Sequence, residues 1–328
     1  MVGRPSPSSP GRLRPSIRFW LQPAGIGMSE SIFLIVIPAV LLSAVGFLDD
    51  PTALHAFILG VAVGAATLTR SESILLVVVL GAPVVLLAAK AWRTRVTFAA
   101  TLFAGCFVLV APWVVRNFVE FGGLALSTQQ GAAFSATNCP ETYEGPGIGG
   151  FDPGCYGRGI LAAYWGPLRD EAKPRNPLRL SHELQRMGFA YIADHRDRLP
   201  SVVLARILRS WGLFATANQL EYETVVEGRH RELQKAGGYL NWLLLALSVV
   251  GTLLLPRRCW RRWSVVLAGP IAFTVTSAVT YGSVRFRTIA EPSIALLAAV
   301  PLVAATKRAR LVSRTMEPSS ATEGQPSW

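Results

Sequence analysis

Apolar runs alternate with short polar connections along most of the chain. Most runs are about 17 to 20 residues long, the length that a helix needs to cross the hydrocarbon core of a bilayer. None contains Asp, Glu, Lys or Arg, because a charge is costly at that depth. The pattern therefore predicts an all-α integral membrane protein with about seven transmembrane helices, at residues 31–48, 53–69, 73–89, 96–115, 239–255, 263–281 and 292–306.

One long polar stretch, residues 117–238, separates the first four spans from the last three. Helical spacing of apolar residues after Pro177 and again after Pro200 predicts two amphipathic helices in its second half. On the second helix, Arg206 and Arg209 either face lipid headgroups or pack on the rest of the domain. The predicted order is a disordered segment 1–27, a four-span region 28–116, a loop domain 117–238, a three-span region 239–306 and a basic, then polar, tail 307–328.

The positive charges predict orientation. The formal net charge of +12 would suit nucleic acid, but Lys and Arg cluster at the ends of the spans, so we expect no nucleic-acid binding. With alternating spans, the clusters at residues 90–95, 257–262 and 307–310 share one face, which the positive-inside rule makes cytoplasmic. We therefore expect a multi-pass protein of the plasma membrane, with residues 117–238 extracytoplasmic and the C-terminus cytoplasmic.

The cysteines agree with that orientation. Cys139 and Cys155 both lie in the long polar stretch, where an oxidising compartment allows a disulfide. Closing so short a loop is worth roughly 3 kcal/mol. The alternative is two free thiols, and no His or second Cys pair lies at zinc-like spacing, so no metal is expected.

The start of the chain departs from the charge rule. Seven alternating spans with a cytoplasmic C-terminus put the N-terminus outside, yet it carries Arg4, Arg12, Arg14 and Arg18. We expect either that a portion with an odd number of spans is missing upstream or that the first 25 or so residues are not native. The third alternative is that this protein does not follow the rule.

Three short segments place polar groups at the outer membrane boundary, where the spans themselves carry no charge. Two arginines separated by one residue offer planar donor forks to a phosphate at headgroup depth. The alternative for each charge is a membrane anchor or a local ion pair. The candidate substrate-binding residues are Glu30, Arg70, Glu72, Arg285, Arg287 and Glu291.

The run Leu68-Thr69-Arg70-Ser71-Glu72 stands directly before an apolar span. It resembles the LTRPE-type segment of GT-C class glycosyltransferases, specifically the family 39, protein O-mannosyltransferase and aminoarabinose transferase group. The order and spacing of the segments extend the resemblance from about Met28 to Thr306. The other similar segments are residues 111–117, 121–122, 138–139, 142–143, 150–155, 227–229 and 285–292.

The resemblance implies transfer of a sugar from a polyprenyl-phosphate carrier to a lipid, glycan or protein acceptor on the outer face, without a cofactor. In such enzymes the base is an acid in the first outer loop. That loop precedes the segment resembling the family and is not found here, so no catalytic residue is assigned. Asp49 and Asp50 fall on the cytoplasmic side and are rejected. The alternatives are a transporter or flippase of lipid-linked sugars and a non-catalytic membrane protein.

Overall fold

In the computed structural model, the residues described are 29–166, 176–225, 228, 230–256 and 260–316. These residues form helices and loops, with no strand among them, so the predicted all-α class is confirmed. The predictions for residues 1–27, for Arg257 and Arg258, for Glu227 and Arg229 and for the end of the tail lie outside the described residues.

The first apolar region contains four α-helices. They are α1 (Ser29–Asp49), α2 (Ala53–Thr69), α3 (Ala82–Ala88) and α4 (Trp92–Phe121). A 3₁₀ segment, Ser71–Leu75, and a π-helical segment, Val77–Gly81, lead directly into α3. Thr52 caps α2 by accepting a hydrogen bond from the backbone N–H of His55. Gly122 ends α4 in a left-handed conformation with φ 75°, which glycine adopts without strain.

In the described part of the chain, the polar stretch contains six further α-helices and the second apolar region contains three. The former are α5 (Gln130–Ala136), α6 (Pro140–Tyr143), α7 (Pro153–Trp165), α8 (Pro177–Asp194), α9 (Leu199–Ser210) and α10 (Thr216–Val225). The latter are α11 (Arg231–Leu254), α12 (Trp260–Val279) and α13 (Glu291–Met316), with a 3₁₀ segment, Val284–Ile289, between α12 and α13.

Five helical segments among the described residues are long and apolar enough to cross a membrane: Ser29–Asp49, Ser71–Ala88, Trp92–Phe121, Arg231–Leu254 and Arg261–Val279. The predicted second span forms as α2, but its 17 residues extend only about 25 Å at 1.5 Å per residue, less than the roughly 30 Å of the hydrocarbon core. The predicted seventh span lies within α13, which is not among the five. Membrane-type helices are confirmed, and the count of seven stays a prediction.

Glycines bring two pairs of these helices into backbone contact. A Cβ at Gly60 of α2 would lie 2.0 Å from the carbonyl oxygen of Leu102 on α4, and one at Gly105 would lie 2.3 Å from that of Phe57. A Cβ at Gly251 of α11 would lie 1.9 Å from the carbonyl oxygen of Leu297 on α13. Small residues at helix crossings are typical of helices that associate in lipid, where close packing replaces the hydrophobic effect.

Polar side chains connect the helices at both ends of the bundle. At one end, Arg262 lies 3.2 Å from Asp49, and Arg261 donates to the carbonyl of Leu48. At the other end, Arg70 after α2 contacts Glu30 at the start of α1. We call this second end the Glu30 end, and the polar stretch contacts the helices here. The membrane side that each end faces stays a prediction.

The polar stretch confirms several local predictions. Cys139 and Cys155 are joined as a disulfide, with their sulfur atoms 2.00 Å apart. Asn176 caps α8 by accepting from the backbone N–H groups of Leu178 and Arg179, and Pro177 occupies the first turn. The two amphipathic helices form at α8 and α9, within one residue of the predicted starts.

The headgroup-facing alternative for Arg206 and Arg209 is wrong. Only 2% of Arg206 and 4% of Arg209 are exposed. Both side chains face the body of the polar stretch because backbone carbonyl groups there accept their N–H donors. The buried face of α9 therefore contains these arginines together with Val202, Ala205 and Ser210.

Candidate functional site

The connection between α12 and α13, residues 281–290, is fixed against the polar stretch. We call it the 281–290 loop. Its Gly282 N–H donates to the carbonyl of Gly149 at 2.8 Å, and its Ser283 N–H donates to the hydroxyl of Ser210 on α9 at 3.0 Å. The Ser283 hydroxyl in turn accepts from the N–H of Arg285. These contacts fix the first part of the 281–290 loop, and with it the backbone of Arg285, against the polar stretch.

Four of the six predicted site residues form one connected ion-pair cluster at the Glu30 end. Arg285 donates from Nε to Glu30 Oε1 at 2.8 Å, and its Nη2 lies 2.8 Å from the same oxygen. Arg70 Nη1 lies 3.0 Å from Glu30 Oε1, and Arg70 Nε lies 2.5 Å from Glu72 Oε1. The Arg70–Glu30 contact is an ion pair by distance but lacks hydrogen-bond alignment at Nη1. The cluster joins three segments that are far apart in sequence.

This cluster is enclosed. The side chains of Arg70 and Glu30 are only 10% and 13% exposed, and the Arg70 guanidinium lies over the rings of Phe33 and Phe286. Glu30 and Glu72 each pair with arginine through Oε1, while Glu30 Oε2 is buried without a hydrogen-bond partner among the described residues. Breaking such an enclosed pair is costly, which favours a structural role for these carboxylates over that of a base. The arrangement suits a positioning role: Glu30 holds Arg285, and with it the 281–290 loop, against α1.

The remaining two predicted residues pair with each other. Arg287 Nε donates to Glu291 Oε1 at 3.3 Å, across the start of α13. Arg285 and Arg287 point into different cavities rather than toward one shared phosphate. The reason is local: residues two apart on a 3₁₀ segment, with three residues per turn, project in different directions.

The first cavity, which we call the Arg287 cavity, has a volume of about 360 Å³ and lies between α10, α11 and the 281–290 loop. Three of its lining side chains are cationic: Arg209, Lys235 and Arg287. Leu220, Tyr239, Trp242 and Val284 give it an apolar wall. No carboxylate is found among the described residues that line it.

An apolar path continues from this cavity along α11. A third cavity of about 390 Å³ shares Gly212, Thr216 and Trp242 with the Arg287 cavity and extends to Leu245, inside a candidate span. Tyr239 and Trp242 are 68% and 43% exposed near the start of that span. Exposed Tyr and Trp side chains are enriched where transmembrane helices meet the membrane–water interface, so their position near the start of a candidate span is typical of such a helix.

The second cavity, the Arg285 cavity, has a volume of about 290 Å³. It lies between the 281–290 loop, α10 and the loop closed by the disulfide, residues 139–155, which we call the disulfide loop. Its described lining is Pro146, Gly147, Gly150, Phe151, Arg209, Asn218, Gln219, Tyr281, Gly282, Ser283 and Arg285. Arg209 and Gln219 line both cavities, so the two lie side by side.

Arg209 and Arg206 are the functional candidates that sequence reasoning did not select. Arg209 donates from Nε to the carbonyl of Ile148 at 2.6 Å and from Nη2 to that of Pro146. Arg206 Nη2 donates to the Thr137 carbonyl at 2.7 Å and to Asn138 Oδ1 at 2.9 Å. Burial lowers the pKa of both guanidinium groups. The available signal was two arginines, three residues apart, within the apolar periodicity of α9.

The described residues contain one group with the composition of a metal site. Cys139, Glu141 and Cys155 place their ligand atoms within 4.8 Å of one another. The two sulfur atoms are bonded to each other, however, so they are not thiolates and cannot bind zinc as such. This group therefore carries no metal assignment.

No protein-family model, curated protein or solved structure matches this chain. The resemblance to GT-C glycosyltransferases consequently stays a prediction, and the function below is argued from the site.

Proposed function

We propose that this chain is a multi-pass membrane glycosyltransferase of the GT-C type that binds a polyprenyl-phosphate-linked sugar in the Arg287 cavity. The observation that carries the proposal is the combination of three cationic side chains with an apolar path toward a candidate span. The ligand that suits both features has an anionic headgroup and a long apolar tail.

The cations suit a phosphate. Arg287 offers a planar donor fork, of which Nε is 3.3 Å from Glu291, and Arg209 supplies a second guanidinium whose position is fixed by backbone carbonyls. Lys235, 41% exposed on α11, adds a point charge that pairs with Glu232 at 2.9 Å. Arg287 and Lys235 each have a carboxylate partner outside the described lining, whereas Arg209 is held by neutral carbonyl groups, so Arg209 supplies the net positive charge that favours an anion in this cavity.

The apolar part suits a prenyl chain. A tail leaving the cavity past Trp242 and Leu245 would follow the exposed face of α11 into the bilayer. Burying its methyl and methylene groups supplies about 0.8 kcal/mol for each carbon. The tail thus supplies affinity and the headgroup supplies orientation.

In the reaction, the sugar leaves the carrier and bonds to an acceptor glycan, lipid or protein. Arg287, with Arg209 and Lys235, would stabilise the negative charge on the departing polyprenyl phosphate. A carboxylate must also deprotonate or orient the acceptor. None lines either cavity among the described residues, and Glu30 and Glu72 are held by Arg70, so the base is not assigned to this chain. We place residues 117–238 on the extracytoplasmic side and the C-terminus in the cytoplasm.

The test is a binding measurement on the full chain in lipid nanodiscs. Farnesyl phosphate is the probe, and quenching of tryptophan fluorescence is the readout, since Trp242 lines the cavity. Arg287→Ala removes a charged donor, so we expect about 10- to 100-fold weaker binding. Farnesol, which lacks the phosphate, should bind both proteins alike.

The control is Arg186→Ala, which removes an exposed arginine on α8 that pairs only at the surface with Glu183. It should leave farnesyl phosphate binding unchanged. Equal affinity of the wild type and Arg287→Ala for farnesyl phosphate would contradict the donor-phosphate assignment.

A further inference from the structure

We infer that the Arg285 cavity is a saccharide-binding subsite whose wall is formed by the disulfide loop. The inference rests on the proposed function, because it assigns the neighbouring Arg287 cavity to the carrier phosphate. The Arg285 cavity adjoins that site, and the carrier phosphate does not occupy it.

The walls of this cavity are held in place by close backbone packing. Gly149 has a φ of +74°, and a Cβ there would lie 2.7 Å from the backbone nitrogen of Arg206 on α9. A Cβ at Gly282 would lie 2.6 Å from Cβ of Arg209. Only glycine fits at these positions, so the disulfide loop and the 281–290 loop pack directly on α9.

Helix α10 closes the cavity from the other side. Asn218 donates from Nδ2 to the Pro146 carbonyl at 3.1 Å, and the same carbonyl accepts from Arg209. Pro146 lies in the disulfide loop, between Cys139 and Cys155. The cavity is therefore a preformed space, as small-molecule sites usually are.

The lining chemistry matches a sugar ring. Phe151 and Tyr281 present two aromatic rings with centroids 5.4 Å apart and an angle of 50° between their planes. Such faces pack against the C–H face of a pyranose or furanose. The amides of Asn218 and Gln219 both donate and accept, and Arg285 donates, which suits neighbouring hydroxyl groups.

The charge and the volume of the Arg285 cavity limit which saccharides it can bind. The described lining contains two arginines and no carboxylate. Arg285 is paired with Glu30, but Arg209 is held by neutral carbonyl groups and keeps its charge, so the cavity suits a neutral or acidic saccharide rather than an amino sugar. A volume of about 290 Å³ is at the lower end of ligand cavities, which generally start near 300 Å³, so one or two rings fit.

Adjacency links the two cavities in one ligand path. Arg209 and Gln219 line both, so a sugar in the Arg285 cavity would lie beside a phosphate in the Arg287 cavity. The sugar could come from two sources, the donor lipid or the acceptor. The chemistry is shared, and the experiment separates the sources.

The experiment compares ligands on the full chain in nanodiscs by measuring Kd. The probes are farnesyl phosphate alone, farnesyl phosphates carrying glucose, mannose, galactose or arabinose, and the methyl glycosides of the same sugars. If the subsite takes the donor sugar, at least one sugar-bearing lipid should bind about tenfold tighter than farnesyl phosphate, the value of one or two added hydrogen bonds. If it takes the acceptor, the lipids bind alike and a methyl glycoside binds on its own.

Asn218→Trp tests the location. Asn218 is exposed on α10 and lines the Arg285 cavity but not the Arg287 cavity, so a bulky side chain there should fill only the former. We expect loss of the saccharide contribution with farnesyl phosphate binding unchanged, which also shows that the variant folds. Asn218→Leu, a smaller substitution, serves if the tryptophan variant loses both ligands, and Gln130→Ala, exposed on α5, is the matched control.

Two results would overturn the subsite: no sugar-bearing lipid binds tighter than farnesyl phosphate and no methyl glycoside binds, or the saccharide binding persists in both Asn218 variants. In either case, intact binding of farnesyl phosphate to the wild type would leave the proposed function standing. Failure of the wild type to bind farnesyl phosphate would instead refute the proposed function itself.

Discussion

Two groups of buried arginines lie on either side of the 281–290 loop, and their partners differ. Arg70 is held by carboxylates, with Glu30 at 3.0 Å and Glu72 at 2.5 Å. Arg206 and Arg209 are held by backbone carbonyl groups and the Asn138 amide, and among the described residues neither forms an ion pair with a carboxylate. The first group is close to neutral, and the second keeps its positive charge.

The difference separates a structural role from an electrostatic one. Ion pairs in a closed cluster cancel at a distance, so Arg70 contributes little field to the cavities. Carbonyl oxygens satisfy the N–H donors without cancelling the charge, so Arg209 can attract an anion in either cavity that it lines. The polar stretch therefore supplies a fixed cation to the site as well as its walls.

The largest expected effect comes from the carbonyl-held group. Arg206→Ala leaves the Thr137 carbonyl and Asn138 Oδ1 without their guanidinium donor and opens a cavity in the buried face of α9. We expect the free energy of unfolding to fall by about 4 kcal/mol. Reversible unfolding by sodium dodecyl sulfate in mixed micelles measures it.

Arg206→Lys sharpens this result. Lysine keeps the charge but cannot reach both acceptors with a planar fork, so it should recover less than half of the loss. A loss below about 1 kcal/mol for Arg206→Ala, the size expected of an exposed side chain, would show that the carbonyl contacts contribute little.

The sequence predicts the carboxylate-held group better than the carbonyl-held group. Arg70, Glu72 and Glu30 stand out because charges are rare beside apolar spans, and a local pairing of Arg70 with Glu72 follows from their separation of two. The contact between Glu30 and Arg285 does not follow, because they lie 255 positions apart and only the packing of α1 against the 281–290 loop brings them together.

The all-helical class, the disulfide and the starts of α8 and α9 were also predictable, since each depends on local pattern or compartment. The burial of Arg206 and Arg209 was not, because periodicity gives the spacing of a helix face but not what covers it. Their acceptors are backbone carbonyls of the disulfide loop, which no side-chain pattern in the sequence reveals.

The next largest effect concerns the carboxylate-held group. Glu30→Gln keeps the shape of the side chain but leaves Arg70 and Arg285 close together without the shared negative charge. Breaking an enclosed pair in this way should cost about 3 kcal/mol, measured by the same unfolding titration. Loss of the loop's anchor on α1 should also weaken saccharide binding in the Arg285 cavity.

The matched control is Glu183→Gln on α8, whose partner Arg186 is 67% exposed at a distance of 2.9 Å. Exposed pairs of this kind contribute about 0 to 0.5 kcal/mol. If the two substitutions have equal effects, the enclosure of Glu30 is not what gives the cluster its stability.

The smallest expected effect is a pH dependence of stability in the carbonyl-held group, which contains Tyr143. Tyr143 is 1% exposed, and its hydroxyl donates at 3.0 Å to Asn138 Oδ1, the atom that also accepts from Arg206. Burial raises the pKa of Tyr143 above its ordinary value of 10.0, although the nearby Arg206 charge acts in the opposite direction. A phenol with a raised folded-state pKa contributes its full stability below about pH 10 and loses it as the pH rises toward the folded-state pKa.

Tyr143→Phe removes this ionisation together with one hydrogen bond, so at pH 7 it should lower the free energy of unfolding by about 1 kcal/mol. As the pH rises through 10, the wild type should lose stability relative to the variant, and the gap between them should close. Glu30→Gln, whose cluster contains no tyrosine among its described contacts, should keep a constant gap over the same range. Unfolding titrations at pH 7, 9, 10 and 11 measure both differences, and a constant gap for Tyr143→Phe would show that the phenol of the carbonyl-held group is not protected from ionising.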